Sequence, residues 1–462
     1  CYNAGIAEVN AINNLSDSIS KQLPPDLTGF LENAGKVASR QGQNLYLVGG
    51  AVRDLTYGQQ VIRDLDFALE GNPQKILRHL DATRRSGGEL AALGTAHLRL
   101  NTRLNSAEIS FSNGVRAEIA MTRNEVYTKP GRRPEISPAA VFEDLKRRDF
   151  SANAMAVSLH PNSRGLLLDP TNGAADIEKH ELRALHSRSL LGDPSRIYRL
   201  LRLGLRLGFK PEERTQTWLE TAFENHAAER LDPEQQGREL RAILQEENPG
   251  RVLKLQATRG LLAGLDRKLA VAKLPYEQFA KIRSIAHAVA GADAFLLNFH
   301  CLVAKLSGSQ KNRLARKIVS DRKSIKMALG LEAAARKLAR VVASSKAALP
   351  SQVYTLLSGQ PLPLLLFLLV NYREPKIKTR VKNYLLKYPP MQARLPRAEL
   401  QTLGLEPGLK FERILARLFL DQLDGKIKTN QQLVKEFRQL AGLKEPPAKP
   451  HAGKTARGGK KR

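Results

Sequence analysis

The segment Leu45 to Asp54 (LYLVGGAVRD), followed by Arg63 to Phe67 (RDLDF), limits the folds open to this chain more than any other. Residues 45–48 are apolar and β-prone, so they read as a buried strand ending at Gly49-Gly50. Two glycines let the backbone turn tightly and bring N–H groups close to a bulky anion. The pattern predicts a short helix from Ala51 to Tyr57, stopped by Gly58, with its N-terminus aimed at the same place. Val61 to Leu69 reads as the next strand. Strand alternation puts Asp64 and Asp66 on one face, with Leu65 packed behind them. Two carboxylates beside an anion-binding turn suit two divalent metal ions gripping a triphosphate. Arg53, one helical turn from Gly50, is placed to neutralise a phosphate. For this segment alone, a Gly-Gly hairpin beside a solvated acidic strand end is the plain alternative.

The 462 residues allow several domains. Lys plus Arg number 74 against 45 Asp plus Glu, a net charge of +29 that favours a polyanionic partner: RNA, DNA or an anionic membrane. Charge alone fits a ribosome-like basic protein equally well. Two cysteines, Cys1 and Cys301, exclude a disulfide framework or a zinc site and fit a reducing compartment. The longest apolar run, Leu362 to Val370, falls short of the roughly 20 residues a spanning helix needs and contains Pro363. It reads as a buried core helix. No signal peptide is evident, which makes the cytoplasm the expected location.

Residues 1–44 form an N-terminal helical extension, with an amphipathic pattern around Leu23 to Ala38 and Pro24-Pro25 near its start. Residues 45–168 form a mixed α+β head. In it Pro73 to Ala82 reads as a helix, and His97 to Leu100, Glu108 to Phe111 and Val115 to Ala120 read as short strands of a small sheet with local antiparallel pairing. Residues 169–265 read as a helical neck, 266–440 as an all-helical body and 441–462 as a basic disordered tail.

Four further segments carry chemistry. In Val115 to Ala120 (VRAEIA), Glu118 faces away from Val115, Ala117 and Ile119. It is a candidate third carboxylate, binding metal or taking the proton of an attacking hydroxyl; the other reading is an exposed strand Glu facing Arg116 or Arg123. Residues 120–134, with Arg123, Lys129, Arg132 and Arg133, read as a long basic loop suited to phosphate. Asp144 to Ala156 (DLKRRDFSANAMA) can hold a ribose hydroxyl on a carboxylate and fork a guanidinium onto phosphate, or be a salt-bridged helix start. Gly192 to Phe209 (GDPSRIYRLLRLGLRLGF) starts a helix at Asp193-Pro194 with Arg196, Arg199 and Arg202 in one cationic stripe.

As a set, over roughly 45–265, these motifs resemble those of bacterial tRNA nucleotidyltransferases (CCA-adding enzymes) and bacterial poly(A) polymerases. The matches are to a nucleotidyltransferase head with Gly-Gly and Asp-x-Asp, an E-I-A-x-x-R strand at Glu118, a D-L-x-R-R-D-F-T-x-N-A-M-A motif with Ser151 for Thr, and an E-D-P-x-R-x-x-R helix. Asp169 to Arg183 resembles the family's joint between head and neck, with Asp176 placed to cap the helix after it. Leu231 to Leu244 resembles a neck helix whose Arg238 and Glu239 bridge to the Asp193 helix.

The resemblance implies a polymerase-β-like head, an all-α neck and body, and addition of CCA, or its terminal nucleotides, to the 3′ end of tRNA. The RNA 3′-hydroxyl would attack the α-phosphate of CTP or ATP, with two Mg²⁺ on Asp64 and Asp66 and loss of pyrophosphate. It implies that Gly49, Gly50 and Arg53 cradle the triphosphate, that Arg148 and Asp149 hold the nucleotide with Arg147 in support, and that Asn153 stabilises the site backbone. Asp193 and Arg196 would read the base, and Arg199 and Arg202 would hold triphosphate or ribose. The segment after the metal motif would be a mobile loop that helps switch nucleotide choice. Expected partners are the tRNA acceptor end, CTP and ATP, with no membrane and no obligate protein partner. Gly192 replaces the family's leading Glu and removes a carboxylate that would orient Arg196. A poly(A) polymerase, an A-only or CC-only enzyme, and a catalytically inactive RNA-binding protein are the alternatives.

Overall fold

The computed structural model of the chain describes residues 14–443, apart from 59–63, 77, 79–94, 102–105, 112–114, 127–134, 265, 267, 270–273 and 320. It divides into two compact units, Cys1–Leu274 and Pro275–Arg462.

The first unit is built on a seven-stranded mixed sheet. Its strands are β1 (Asn44–Val48), β2 (Asp64–Glu70), β3 (Thr95–Asn101), β4 (Ser106–Phe111), β5 (Arg116–Met121), β8 (Ala156–Ser158) and β9 (Leu167–Leu168), in the order β3-β4-β5-β2-β1-β8-β9. Only β2 and β5 run parallel; every other pairing in the sheet is antiparallel. That register sets Asp66 beside Glu118, and Glu118 beside Glu108, across three adjacent strands. The three runs expected as strands are β3, β4 and β5. Of the helix expected over 73–82, residues 73–76 and 78 are helical, and 77 and 79–82 lie outside the described residues.

Two N-terminal helices, α1 (Ser16–Gln22) and α2 (Pro25–Arg40), cover part of this sheet. Leu27, Phe30, Leu31, Ala34 and Ala38 recur at helical spacing and are fully buried in the same core as Leu45, Leu47 and Phe67. Phe30 meets Phe67 edge-on, with ring centroids 5.9 Å apart. Burying each such large side chain is worth roughly 1.5–3 kcal/mol, so these helices belong to the core of the unit. Helix α3 (Gly50–Tyr57) follows β1 directly and ends at Gly58.

Part of the expected loop at 120–134 is ordered differently. β6 (Arg123–Val126) pairs with β7 (Glu135–Pro138) as a separate two-stranded ribbon; residues 127–134, with Lys129, Arg132 and Arg133, lie outside the described residues. Helix α4 (Val141–Lys146) leads from the ribbon into the Arg147-Arg148-Asp149 segment.

Helix α5 (Gly173–Glu178) corrects one expectation. Asp176 does not cap a following helix; it lies within α5, whose first N–H groups, on Gly173 and Ala174, donate to Asp169 at 2.7 and 2.9 Å. Asp176 instead accepts from Ser151 Oγ and from Arg183. A Cβ on Gly173 would sit 2.2 Å from the backbone oxygen of Ser151, so only glycine lets α5 pack this close. Beyond it, α6 (Ser195–Leu207), α7 (Glu213–Glu224), α8 (Pro233–Leu244) and α9 (Pro249–Thr258) form the helical end of the unit, and α6 packs on α8 and α9.

The second unit is helical throughout its described residues. The apolar run forms a helix, Leu362–Asn371, buried at Leu364 to Leu368 and Val370, with Leu364, Leu365, Phe367 and Leu368 in one core with the long helix Arg322–Ala343. Phe411, Leu415, Leu418, Phe419 and Phe437 centre another core nearer its C-terminal end. No described helix is long and apolar enough to cross a membrane.

Candidate active site

The centre of the site is the junction of β1, α3 and β2. Gly49 holds φ +72°, in the left-handed region that glycine adopts without penalty. A Cβ there would lie 3.2 Å from Arg148 Nη1 and 3.4 Å from Asp66 Oδ2. The turn therefore brings one cation and one metal-type ligand together across a gap with no side chain in it. On β2 the burial alternates: Leu65 is fully buried, whereas Asp64 and Asp66 are open to solvent on one face. Asp64 Oδ1 lies 3.3 Å from Arg116 Nη2 in an exposed pair.

Although one edge of Asp66 is open to solvent, the atoms packed around its carboxyl desolvate it and raise it above its ordinary value; Asp64 adds to this, while Arg148, Arg199 and Arg53 oppose it. Glu118 is raised for the same reason, burial first and then the charges of Asp66 and Glu108. Crowded carboxylates that resist ionisation together are relieved by a divalent cation. Oxygen donors on one face suit a hard ion such as Mg²⁺. The pair Asp64 and Asp66 fits that group; among the described residues no cluster of three or more such ligands forms, so Glu118 stands beside the pair rather than in a three-ligand set.

Arg53 lies elsewhere than expected. It is 2% exposed and sits beneath the turn. Its Nε and Nη2 donate to Asp54 Oδ1 at 2.8 and 2.7 Å, and its Nη1 donates to Asn153 Oδ1 at 2.6 Å. Asn153 in turn donates to Asp149 Oδ1 at 3.1 Å, and Asp149 Oδ2 pairs with Arg199 Nη2 at 2.8 Å. Arg53, Asn153, Asp149 and Arg199 thus form one chain of contacts from α3 to α6. Burial alone would raise Asp149, but Arg199 and Arg196 override it and hold the carboxyl below its ordinary value.

Arg147 and Arg148 share one buried anchor. Asp144, 1% exposed, accepts from Arg147 Nη2 at 2.5 Å through Oδ1 and from Arg148 Nη2 at 2.9 Å through Oδ2. Desolvation works against its charge, yet the two guanidiniums keep its carboxyl below the usual range. Arg147 also reaches Glu125 of the β6–β7 ribbon at 2.8 Å and donates to the Arg123 carbonyl at 2.8 Å. It braces the ribbon. Arg148 is the guanidinium aimed at the Gly49 turn.

At the start of α6, Asp193 Oδ1 accepts from the Ser195 N–H and hydroxyl at 3.1 and 2.6 Å. Arg196 donates to Ser189 Oγ at 2.5 Å and to the Arg147 carbonyl at 2.7 Å. Nothing lies within 4 Å of the position where a Cβ on Gly192 would stand; Ser189, the Arg147 carbonyl and, at 3.6 Å, Asp193 Oδ2 are what orient Arg196. Arg202 is drawn away from the stripe: it pairs with Glu246 at 2.8 Å and lies 3.9 Å from Glu239. Glu239 bridges towards α6 as expected of a neck helix, and Arg238 is exposed. Sequence reasoning passed over Asp144, Glu125, Ser189 and Glu246. For Asp144 the signal was present, since Arg147 and Arg148 stand three and four residues after it.

A mixed sheet that presents two carboxylates beside a glycine turn, followed by helices, defines a nucleotidyltransferase head with a helical continuation. Residues 45–183 match the family model of the poly A polymerase head domain. The A-adding tRNA nucleotidyltransferase of Halalkalibacterium halodurans is 28% identical over 446 residues, covering 94% of this chain and 97% of that protein. The A-adding tRNA nucleotidyltransferase of Geobacter sulfurreducens is 25% identical over 433 residues, 92% of this chain; the chain spans about half, 48%, of that protein's length. A solved apo structure of a CCA-adding enzyme superposes with TM-score 0.53 at 25% identity, covering 93% of this chain and 99% of that one. Residues 45–183 thus match a poly A polymerase head domain, and the chain is similar along most of its length to tRNA nucleotidyltransferases.

Proposed function

We propose that this protein extends the 3′ end of tRNA, adding CCA or its terminal nucleotides from CTP and ATP without a nucleic-acid template. The observation that carries the reading is the juxtaposition of Asp66, Arg148 and the side-chain-free Gly49 turn, because a triphosphate needs an anion cradle and metal ligands at one point. Asp64 and Asp66 would hold Mg²⁺, which when bound supplies charge neutralisation on the phosphates and acidifies a coordinated hydroxyl. Arg148 and the backbone at Gly49-Gly50 orient the phosphates. Glu118, the carboxylate neighbouring Asp66, is placed to take the proton of the RNA 3′-hydroxyl. That oxygen bonds the α-phosphorus, the α–β bridging bond breaks, and pyrophosphate leaves.

Asp149, ionised and held by Asn153 and Arg199, accepts a ribose hydroxyl. Asp193 and Arg196 read the base. Arg53, Arg147 and Arg202 support this site from behind rather than touching phosphate, which revises the roles expected for Arg53 and Arg202. The basic helical second unit receives the acceptor arm, by shape and backbone more than by sequence.

Addition of the terminal A alone is the second reading. It is favoured by the two A-adding relatives that align along nearly the whole chain. A terminal-addition assay separates the readings, using tRNAs that end at the discriminator or at C-C, with CTP and ATP supplied singly and together. Products stopping at C-C-A on both acceptors support full addition. Extension of the C-C acceptor alone, with ATP alone, supports A-addition. Long A tails overturn both.

A further inference from the structure

Apart from the transfer site, an open cavity of about 700 Å³ lies between the end of α4, the start of α5 and the strand that follows it. Lys146, Lys179, Arg183 and His186 line it, and Asp176 is the carboxylate on its wall. That carboxylate is already satisfied: Asp176 Oδ2 accepts from Ser151 Oγ and, at 2.9 Å, from Arg183 Nε. Arg183 is fixed further by the Thr171 carbonyl. Lys146 and Lys179 are exposed, and among the described residues neither ammonium pairs with a carboxylate. The cavity therefore carries an excess of positive charge that no internal anion cancels.

A second observation points to the same class of ligand. Phe142 stands one helical turn before Lys146 on α4, on the same side of the helix, and is 48% exposed, while Val141, Asp144 and Leu145 of that helix are buried. A solvent-facing aromatic ring one helical turn from the unpaired Lys146 combines what single-stranded nucleic acid uses, a stacking platform and phosphate contacts. The cavity also adjoins the transfer site through the chain. Lys146 precedes Arg147, whose carbonyl accepts from Arg196, and Arg196 helps burial keep the His186 imidazole below its ordinary value.

We propose that this cavity binds phosphates of the unpaired 3′ segment of the RNA acceptor through Lys146 and Lys179, with Phe142 stacking on a neighbouring base. The proposal rests on the reading of the chain as an RNA-extending enzyme. It assigns that enzyme a contact surface outside the catalytic motifs. The phosphate could also come from free nucleotide; the openness of the cavity and the external aromatic ring favour the polymer.

The test uses the full chain and a tRNA ending at C-C, which keeps the unpaired 3′ segment, with affinity read by fluorescence anisotropy across a salt series. For Lys146→Gln/Lys179→Gln, the slope of log affinity against log salt should fall by about 1.4, the loss of two single-strand phosphate contacts. Lys146→Arg/Lys179→Arg should keep the wild-type slope. Phe142→Ala should weaken binding about tenfold with the slope unchanged, and Phe142→Trp should retain affinity. ATP affinity should stay constant in all four variants. An unchanged RNA slope in the double Gln variant, with its urea midpoint intact, overturns the proposal. So does a drop in ATP affinity at constant RNA slope, which would assign the cavity to free nucleotide. Binding is read without incorporation, so a wild-type chain that adds no nucleotide would sink the enzymatic reading separately.

Discussion

Replacing Asp144 by Asn isolates one anchor behind the site. The Asp144 side chain is 2% exposed and holds Arg147 and Arg148 at 2.5 and 2.9 Å. Stranding the partners of a buried ion pair costs about 3–5 kcal/mol. Here the two arginines are 20% and 19% exposed, and Arg147 keeps Glu125 at 2.8 Å. The expected loss is therefore about 2–3 kcal/mol, at or just below the lower limit of that range. The protein's single tryptophan, Trp218 of α7, packs on the core of the first unit, so its fluorescence reports unfolding of that unit. With a urea slope of about 3 kcal/mol/M, the midpoint should fall by close to 1 M. Arg148 also loses the carboxylate that aims it at Gly49, and KM for the nucleotide should rise about tenfold or more. The pH dependence follows from the lowered Asp144 pKa. A carboxylate whose folded pKa lies below its unfolded value stabilises the fold above about pH 4, and that contribution disappears as pH falls through the folded pKa. The gap between wild type and Asp144→Asn should thus be full at neutral pH and close in acid. A midpoint shift below about 0.2 M with an unchanged KM would refute the reasoning.

Other consequences follow from the same contacts. Gly173→Ala forces a Cβ to 2.2 Å from the Ser151 carbonyl oxygen, a backbone atom that cannot swing aside. It should cost about 1–3 kcal/mol in the Trp218 transition, and a neutral result would mean that α5 packs less tightly than described. Arg53→Met removes the donor to Asn153 and should lower kcat/KM about tenfold, with partial recovery in Arg53→Lys; equal activity of both variants with wild type would place Arg53 outside the site. Because the Asp66 carboxyl is raised, protons compete with metal increasingly as pH falls. The Mg²⁺ concentration for half-maximal pyrophosphate release should therefore climb as pH is lowered, and a flat profile would contradict that.

Much of the head was legible because local patterns matched the final structure. The period-2 run of β2 put Asp64 and Asp66 on one face, and Gly49 marked the turn. What escaped was nonlocal. Arg53 finds Asn153, 100 positions away, and Arg202 finds Glu246, 44 positions away. Asp54, next to Arg53, offered a local partner that went unread, whereas nothing within a helical turn announces Asn153 or Glu246. The β6–β7 ribbon was missed for another reason. Its strands are four residues each, with Glu135 to Pro138 wholly exposed, so no buried face imprints an alternation. Asp176 was misplaced because the Asp-Pro turn hands its own Asp169 to the helix start.

The most direct measurement of the central claim is pyrophosphate released per nucleotide incorporated into tRNA, in wild type and in Asp66→Ala, across a Mg²⁺ titration. One pyrophosphate per nucleotide is expected for wild type. A loss of at least about a thousandfold that added Mg²⁺ does not restore is expected in Asp66→Ala, with the Trp218 transition unchanged. Comparable metal-dependent release from both proteins would contradict the claim.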